Sequence, residues 1–459
     1  MKIVKFGGSS LATSEQIEKV FQIVTSDVER KIIVVSAPGK RFPEDIKVTD
    51  LLINCAQLAL QEKDYSKEFD QIIQRYSEIA NGLGIHADIV NEISLGIELS
   101  ISSKRDDPAR FMDAVMACGE DNCARLVASY FQLKGLEASY INPKEAGLFV
   151  TNEPGHAQVL QKSYENLFKL RKKTGILIFP GFFGYSEDGH IVTFSRSGSD
   201  ITGSVVANGV KATLYENFTD VDAVFSVNPV IIKYPKEIKE LTYREMRELS
   251  YAGFNVFHDE ALIPAFEAGI PVNIKNTNNP AAPGTRIVKE RALSNGPLIG
   301  IASDNGFCSI YISKYLMNRE IGFGRKLLQI LEDYQISYEH QPSGIDDISI
   351  IIRQSQLTDE MEFQIINRIR DELHADHVFV ERDLALIMLV GEGMRHNVGT
   401  TARASQALAS AGINIEMINQ GSSEVSMMFG VKSCDEKKAV QVIYEEFFTK
   451  VSSNKNIKI

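Results

Sequence analysis

The feature that most constrains this chain is an internal repeat in its C-terminal third. At a spacing of 77 positions and without a gap, Met317 falls on Met394, Gly322 on Gly399, Ile336 on Ile413, Glu339 on Glu416, Gly344 on Gly421, Asp347 on Glu424, Ile348 on Val425 and Ser349 on Ser426. Glycines, acids and apolar positions coincide together, which chance similarity of amphipathic segments does not produce. Each copy reads as a strand (309–312 or 386–389), a helix opened by Gly322 or Gly399, a short strand, a turn at Gly344 or Gly421, another strand and a closing helix. That is a β-α-β-β-α-β unit twice over.

The larger, N-terminal part has a different rhythm. Residues 2–6 are strand-like, Gly7-Gly8-Ser9-Ser10 is a small-residue loop, and Thr13 with Gln16 forms a capping-box signature. Ile17, Val20, Phe21 and Val24 then give a helix one apolar face. The run Ile32-Ile33-Val34-Val35 is short, β-branched and continuously apolar, as expected of a strand buried on both faces. Similar segments at 175–179, 191–194, 213–215 and 272–275 predict one large α/β domain. The turn formers at 294–297 read as the linker, and 102–108 as a loop inside the first domain. The expected division is 1–293, 298–375 and 376–450 with a polar tail at 451–459, interleaving of the two repeat units being left open.

Over 459 residues, 49 Lys+Arg against 60 Asp+Glu leave a net charge of −11. No electrostatic footprint for nucleic acid or an anionic membrane surface exists, so neither is expected as a partner. No apolar run is long enough for a membrane span, and Met1 leads directly into a strand, so a cytoplasmic location is expected. The five cysteines are odd in number and contain no Cys-x-x-Cys pair, which argues against a disulfide framework or zinc site. His374 and His377 read as surface histidines, and no metal-ligating side-chain set is assigned.

Neither a Walker A sequence nor a complete dinucleotide fingerprint is present, which demotes P-loop NTPases and Rossmann dehydrogenases. A different phosphate-handling pattern remains. Lys5 at the end of a buried strand precedes glycines whose N–H groups can approach an anion closely. Arg196-Ser197-Gly198-Ser199-Asp200 follows another strand and precedes a helix; Arg196 can hold a carboxylate, Ser199 can donate, and Asp200 can balance Lys5 or a hydrated metal. Each also reads as ordinary N-capping or a surface ion pair. Thr219 to Asp222 follow a strand end, where open α/β sheets bind ligands. Glu120 lies on a helix, and periodicity leaves open whether it is buried or exposed, exposure being the commoner fate.

Taken together, 5–10 (Lys-Phe-Gly-Gly-Ser-Ser), 34–39 (Val-Val-Ser-Ala-Pro-Gly), 194–200 (Phe-Ser-Arg-Ser-Gly-Ser-Asp), 218–222 (Phe-Thr-Asp-Val-Asp), 274–277 (Ile-Lys-Asn-Thr) and the paired C-terminal units closely resemble aspartate kinase over nearly the whole chain. The resemblance is to the monofunctional, lysine-responsive type. It implies an amino-acid-kinase fold, a central mainly parallel sheet sandwiched by helices, followed by two ferredoxin-like ACT domains. It also implies ATP- and Mg²⁺-dependent phosphorylation of the L-aspartate side-chain carboxylate, the committing step towards lysine, threonine and methionine. By the same resemblance Lys5 contacts the transferred phosphoryl group, Gly7, Gly8 and Ser9 form its nest, and Asp200 organises the lysine and the Mg-nucleotide region. Ser36, Thr49, Glu120, Phe182, Arg196 and Ser199 match the aspartate site, with Arg196 on the α-carboxylate and Glu120 near the α-amino group. Thr219, Asp220 and Phe225 match positions lining the nucleotide.

The chain departs from the family at Asn228-Pro229-Val230 and at Asn255 before Val256-Phe257-His258-Asp259, where two cations are usual; Lys275 is the replacement triphosphate donor expected here. By the same resemblance the first repeat unit is expected to form the effector site for L-lysine with Met317, Gly322, Phe323, Gly324, Glu339, Ser343, Gly344, Asp346 and Asp347. The second has Ser422-Ser423 in place of Ile345-Asp346 and is expected chiefly to build the dimer. A homodimer through the ACT units is the minimum assembly, with a tetramer left open. The rivals are another enzyme of the same fold, such as a glutamate 5-kinase or uridylate kinase, and a catalytically silent amino-acid sensor. The paired ACT units and 218–222 weigh against the first, and joint retention of Lys5, Glu120, Arg196 and Asp200 against the second.

Overall fold

The computed structural model describes residues 1–195, 197–254, 259–292, 296–421 and 425–449. They form two compact units: the first holds 1–224, 237–247 and 255–291, the second 225–236, 248–254 and 292–459.

The first unit is built on an eight-stranded sheet in the order Glu240–Thr242, Thr285–Val288, Val272–Asn276, Leu214–Thr219, Lys2–Phe6, Arg30–Val35, Ile176–Pro180, Ala138–Tyr140. All neighbours are parallel except Val272–Asn276 against Thr285–Val288. The opening strand is central, so it is buried on both faces and reads as a continuous apolar run interrupted by one lysine. Successive side chains alternate between faces. Val4, Phe6, Ile33, Val35 and Phe218 join one core with residues of Ser14–Thr25, Val48–Leu60, Ser66–Leu83, Asp88–Ile101 and Pro108–Leu133. Lys5, one position out of phase with Val4 and Phe6, points to the other face.

Helix Gly198–Gly209 is buried along almost its whole length. It can sit this close because it presents glycines: a Cβ on Gly203 would lie 2.4 Å from the Tyr215 hydroxyl. Tyr215 is itself fully buried and donates to the Asp200 carbonyl at 3.3 Å. Gly203→Ala is therefore expected to destabilise the protein by about 2 kcal/mol through overpacking, read as a lower midpoint in urea unfolding.

The strand expected at 191–194 is present at Ile191–Thr193. Ile191–Thr193 pairs antiparallel with Phe183–Tyr185 in a separate two-stranded sheet, outside the main one. Alternation of apolar residues signals a strand but not its partner. The strand read at 213–215 extends further, to Thr219.

In the second unit the two repeat copies share a single antiparallel sheet, ordered Asp347–Arg353, Gly300–Ser313, His377–Val390, Ser426–Lys432, Met417–Asn419. Two strands of 14 residues run through both copies, pairing from Gly300 with Val390 to Ser313 with His377. Each copy nonetheless keeps its own core. Cys308, Ile310, Leu327, Leu331, Ile350 and Ile352 sit in one; their repeat equivalents Ala385, Ile387, Ala404, Leu408, Met427 and Phe429 sit in the other. Gly322 and Gly399 both adopt left-handed φ, +81° and +88°, at the starts of Phe323–Asp333 and Thr400–Ser410. The linker residues 294 and 295 and the tail 451–459 lie outside the described residues. No helix among the described residues is long and apolar enough to cross a membrane.

Candidate active site

The centre of the site forms where the middle strands of the first unit end. Lys5 is 6% exposed and its Nζ lies 2.5 Å from Asp200 Oδ1. Asp200 is in the first turn of Gly198–Gly209, where a carboxylate also meets the positive end of the helix. Asn217, directly across from Lys5 in the sheet register, donates from Nδ2 to the same oxygen at 2.7 Å. Its own Oδ1 is buried without a partner. Burying an ion pair costs desolvation that its attraction only partly offsets.

The glycine loop lies just beyond. Gly7 donates its N–H to Phe218 O at 3.1 Å, and Gly8–Leu11 closes as a short 3₁₀ turn. The loop is pressed against a second turn, with Gly39 N–H donating to Gly8 O at 2.8 Å. A Cβ on Gly39 would lie 2.6 Å from the Gly8 carbonyl carbon, so this approach requires glycine.

Glu120 sits in helix Pro108–Leu133 and is 5% exposed, so the more common fate of a helical glutamate does not apply. Burial pushes its carboxyl up to about 7, opposed by hydrogen bonds from the Ala37 backbone and the Ser199 hydroxyl and by the charge of Lys5. Its Oε2 has no hydrogen-bond partner. The neighbouring Gly119 is held against Ala37 and Thr49: a Cβ there would stand 2.8 Å from Ala37 Cβ and 4.0 Å from Thr49 Oγ1. Ser36 precedes Ala37, and its N–H donates to Phe6 O at 3.2 Å. Phe182 occupies a left-handed conformation with φ +76°, a strained state for a bulky residue. Its N–H donates to Thr202 Oγ1 at 3.0 Å, and a Cβ on adjacent Gly181 would meet Ser199 Oγ at 2.6 Å. Lys5, the glycine loop, Ser36, Thr49, Glu120, Phe182, Ser199 and Asp200 thus occupy one neighbourhood. Arg196 lies outside the described residues.

The residues matched to the nucleotide divide. Thr219 Oγ1 donates to Asp220 Oδ1 at 3.1 Å, and Thr219 O accepts from Thr277 N–H at 2.9 Å. Phe225 belongs to the second unit. Lys275 is not brought to Lys5. It pairs with Phe218 in the register whereas Lys5 pairs with Asn217, so the two lysines point to opposite faces. Burial lowers the Lys275 pKa, and the charged groups it senses are Glu216, Arg30 and Lys2. Asn255 to His258 lie outside the described residues.

In the second unit the effector residues largely converge. Asp346 Oδ1 accepts the Leu316 N–H at 2.8 Å, Asn318 N–H donates to Ile345 O at 3.1 Å, and Met317 between them is buried. Ser343 bridges Ile348, and Gly344 N–H donates to Asp347 O at 2.8 Å to close the turn. Gly322 starts the helix that Phe323 opens, and Gly324 faces Gln341. Glu339 stands apart: its N–H donates to Ile351 O at 2.8 Å, and its carboxylate lies 3.6 Å from Arg353 and accepts from the Tyr251 hydroxyl.

Sequence reasoning passed over Asn217, Gly39 and Asp113. The first lies beyond the expected strand end, and Gly39, the last residue of the 34–39 segment, was given no role of its own. Asp113, two helical turns before Glu120, accepts from Gly155 N, Thr193 N and Thr193 Oγ1 at 3.0, 2.8 and 2.8 Å, tethering the strand that leads into 194–200. Among the described residues no group of three or more His, Cys, Asp or Glu is placed to hold a metal ion.

A parallel-stranded unit whose strand ends present a buried lysine, a glycine nest and a helix N-terminal acid is that of the amino acid kinase family, whose profile matches residues 1–276. An ACT domain profile matches residues 387–447. The chain is 64% identical over 451 residues to aspartokinase 3 of Bacillus subtilis, covering 98% of this chain and 99% of that protein. It is 28% identical over 458 residues to chloroplastic aspartokinase 1 of Arabidopsis thaliana, covering 97% and 80%. The Clostridium acetobutylicum aspartate kinase superposes with a TM-score of 0.88 at 39% identity, over 97% of this chain and all of that one (100%). Escherichia coli aspartokinase III in complex with aspartate and ADP shares the fold at a TM-score of 0.78 and 22% identity, over 98% and 100%. The chain belongs to the aspartate kinases, which use ATP to phosphorylate aspartate.

Proposed function

We propose that Lys5, the Gly7-Gly8-Ser9 loop and Asp200 form the phosphoryl-transfer centre of this aspartate kinase, and that Ser36, Thr49, Glu120, Phe182, Arg196 and Ser199 bind aspartate. The observation that carries this reading is a buried cation, Lys5, close enough to a buried carboxyl, Glu120, to act on its charge, while Glu120 Oε2 lacks a partner. An α-ammonium group supplies what Glu120 lacks. The aspartate side-chain carboxylate is already a nucleophile near neutral pH, so no general base is needed. The task is to bring two anions together, and Lys5 with backbone donors neutralises charge that spreads over the phosphoryl oxygens. Thr219 and Asp220 line the nucleotide; Phe225 and Lys275 are assigned to it by resemblance alone.

Mg²⁺ fits the residues present, because it keeps several waters and takes few protein oxygens. Asp200 and the unpartnered Asn217 Oδ1 would hold it through water. When bound it supplies charge neutralisation on the nucleotide phosphates. The test is hydroxylamine trapping of the acyl phosphate with ATP, Mg²⁺ and aspartate, repeated with glutamate. Hydroxamate from aspartate alone is expected; equal product from glutamate, or none from either, overturns the reading.

The catalytic domain lies within 1–293, without 225–236 and 248–254, which cluster with the second unit; 298–375 and 376–450 are the ACT domains and 451–459 a polar tail, in a cytoplasmic homodimer joined through the ACT units. L-lysine is the effector, held by Asp346, Asp347 and the 316–324 segment. The convergence of these segments supports this; Glu339, engaged elsewhere, is not among the ligands. Replacing both acids with alanine is expected to raise the lysine concentration for half-inhibition at least about tenfold, the loss of one charge-assisted hydrogen bond. Unchanged inhibition in a steady-state titration contradicts it.

A further inference from the structure

We propose that Arg75 is a positioning residue for phosphoryl transfer, acting through Gly39 on the peptide between Gly8 and Ser9; the proposal rests on the reading of that loop as the phosphate nest. Arg75, on helix Ser66–Leu83, is 3% exposed. Its Nη1 donates to Gly39 O at 2.9 Å, and its Nη2 to Asp45 Oδ1 and Oδ2 at 2.8 and 2.7 Å. Gly39 passes the constraint on, its N–H donating to Gly8 O at 2.8 Å. Because the peptide unit is planar and trans, a carbonyl fixed on one side sends the following N–H to the other. Holding Gly8 O against Gly39 therefore sets the direction of the Ser9 N–H. Two hydrogen bonds thus connect a guanidinium remote from the reacting atoms to the orientation of a nest donor.

The fork geometry explains why this group is an arginine. One planar cation reaches the carbonyl of the 36–39 turn and the carboxylate of the loop that follows it. Asp45 is in turn gripped by Arg41, through Nε and the backbone N–H, both at 2.9 Å. The loop between Gly39 and helix Val48–Leu60 is closed at both ends, by Arg75 on Gly39 and by Val48 N–H on Pro38 O at 3.1 Å. A cavity of about 270 Å³ beside Arg75, lined also by Asp45, Gln71 and Glu78, leaves room for a shorter, hydrated side chain.

The test separates positioning from loop stability by comparing affinity for a non-hydrolysable ATP analogue with affinity for ADP, since only the former carries the group the nest receives. Arg75→Lys keeps the charge for Asp45 but loses the fork. It is expected to lower kcat by about 10- to 100-fold, the scale of a small misplacement, to reduce the analogue-over-ADP preference, and to leave the aspartate KM unchanged. Asp45→Asn, which weakens the ion pair but spares the Gly39 bond, is expected to lower the melting temperature and retain the preference. Arg75→Gln is the second variant at the site and is expected to behave as Arg75→Lys. A lower melting temperature with intact kcat and preference in the Arg75 variants overturns the proposal, as does equal loss of preference in Asp45→Asn. Gly8→Ala distinguishes the two levels of inference. If it abolishes the preference while the Arg75 variants retain it, Arg75 alone is misassigned; if it leaves the preference intact, the nest reading falls and the Arg75 proposal with it.

Discussion

Lys5→Ala is expected to lower kcat about a thousandfold, the scale of removing a preorganised charge from a transferring group, while the aspartate KM changes little. Lys5 comes from a central strand, flanked by parallel neighbours on both sides. Its Nζ is held by Asp200, which Asn217 also holds, so the charge needs no reorganisation when substrate arrives. Such preorganisation acts on the transition state rather than on ground-state binding, and its loss should therefore appear in kcat. The variant retains a folded site because Asp200 keeps the Asn217 amide and the helix end. A secondary effect has a defined sign: Lys5 lowers the Glu120 pKa, so its removal leaves Glu120 protonated to higher pH. Steady-state kinetics on both substrates check the partition. A raised aspartate KM with kcat intact would place Lys5 in substrate binding instead.

The repeat was legible because its register is also the register of packing. Positions 77 apart fill equivalent places in two cores, and the glycine pair at 322 and 399 is fixed by left-handed backbone in both copies. What periodicity could not show is that the copies share long strands, since a strand carries no mark of which neighbour it pairs with. Likewise the strand at 191–194 was legible, but its antiparallel partner Phe183–Tyr185 was not. Lys5 and the glycines after it drew attention in the sequence because close backbone approach demands glycine, and the structure shows such an approach between Gly8 and Gly39. The face that Lys275 takes was not legible, because it depends on a one-residue offset from Lys5 across the sheet that only the strand register sets. Arg75 and Asn217 act through contacts distant in sequence, and arginine on an amphipathic helix or asparagine in a strand carries no local signature of that.

Glu120 shows most plainly what tertiary context adds, and it yields the last prediction. Burial desolvates this carboxyl, and despite the opposing hydrogen bonds it is pushed up to about 7 in the folded protein from the usual 4.5. Below 4.5 it is protonated folded or unfolded and contributes no pH dependence. Between 4.5 and about 7 the unfolded chain has released a proton that the folded chain retains, so stability falls as pH rises. Above about 7 the full penalty stands, about 3 kcal/mol at most for a shift of this size. Glu120→Gln removes this dependence. It is expected to raise the melting temperature of the unliganded protein at pH 8 while leaving it nearly unchanged at pH 4, and to weaken aspartate binding at both. Binding should carry the complementary signature, because an ammonium group placed against Glu120 favours the carboxylate and expels its proton. Calorimetry in buffers of different ionisation enthalpy near pH 6 should therefore register release of up to one proton per aspartate in the parent and markedly less in Glu120→Gln. Equal proton release by the two proteins, or a parent whose stability does not decline across this range relative to the variant, would remove Glu120 from the ammonium site.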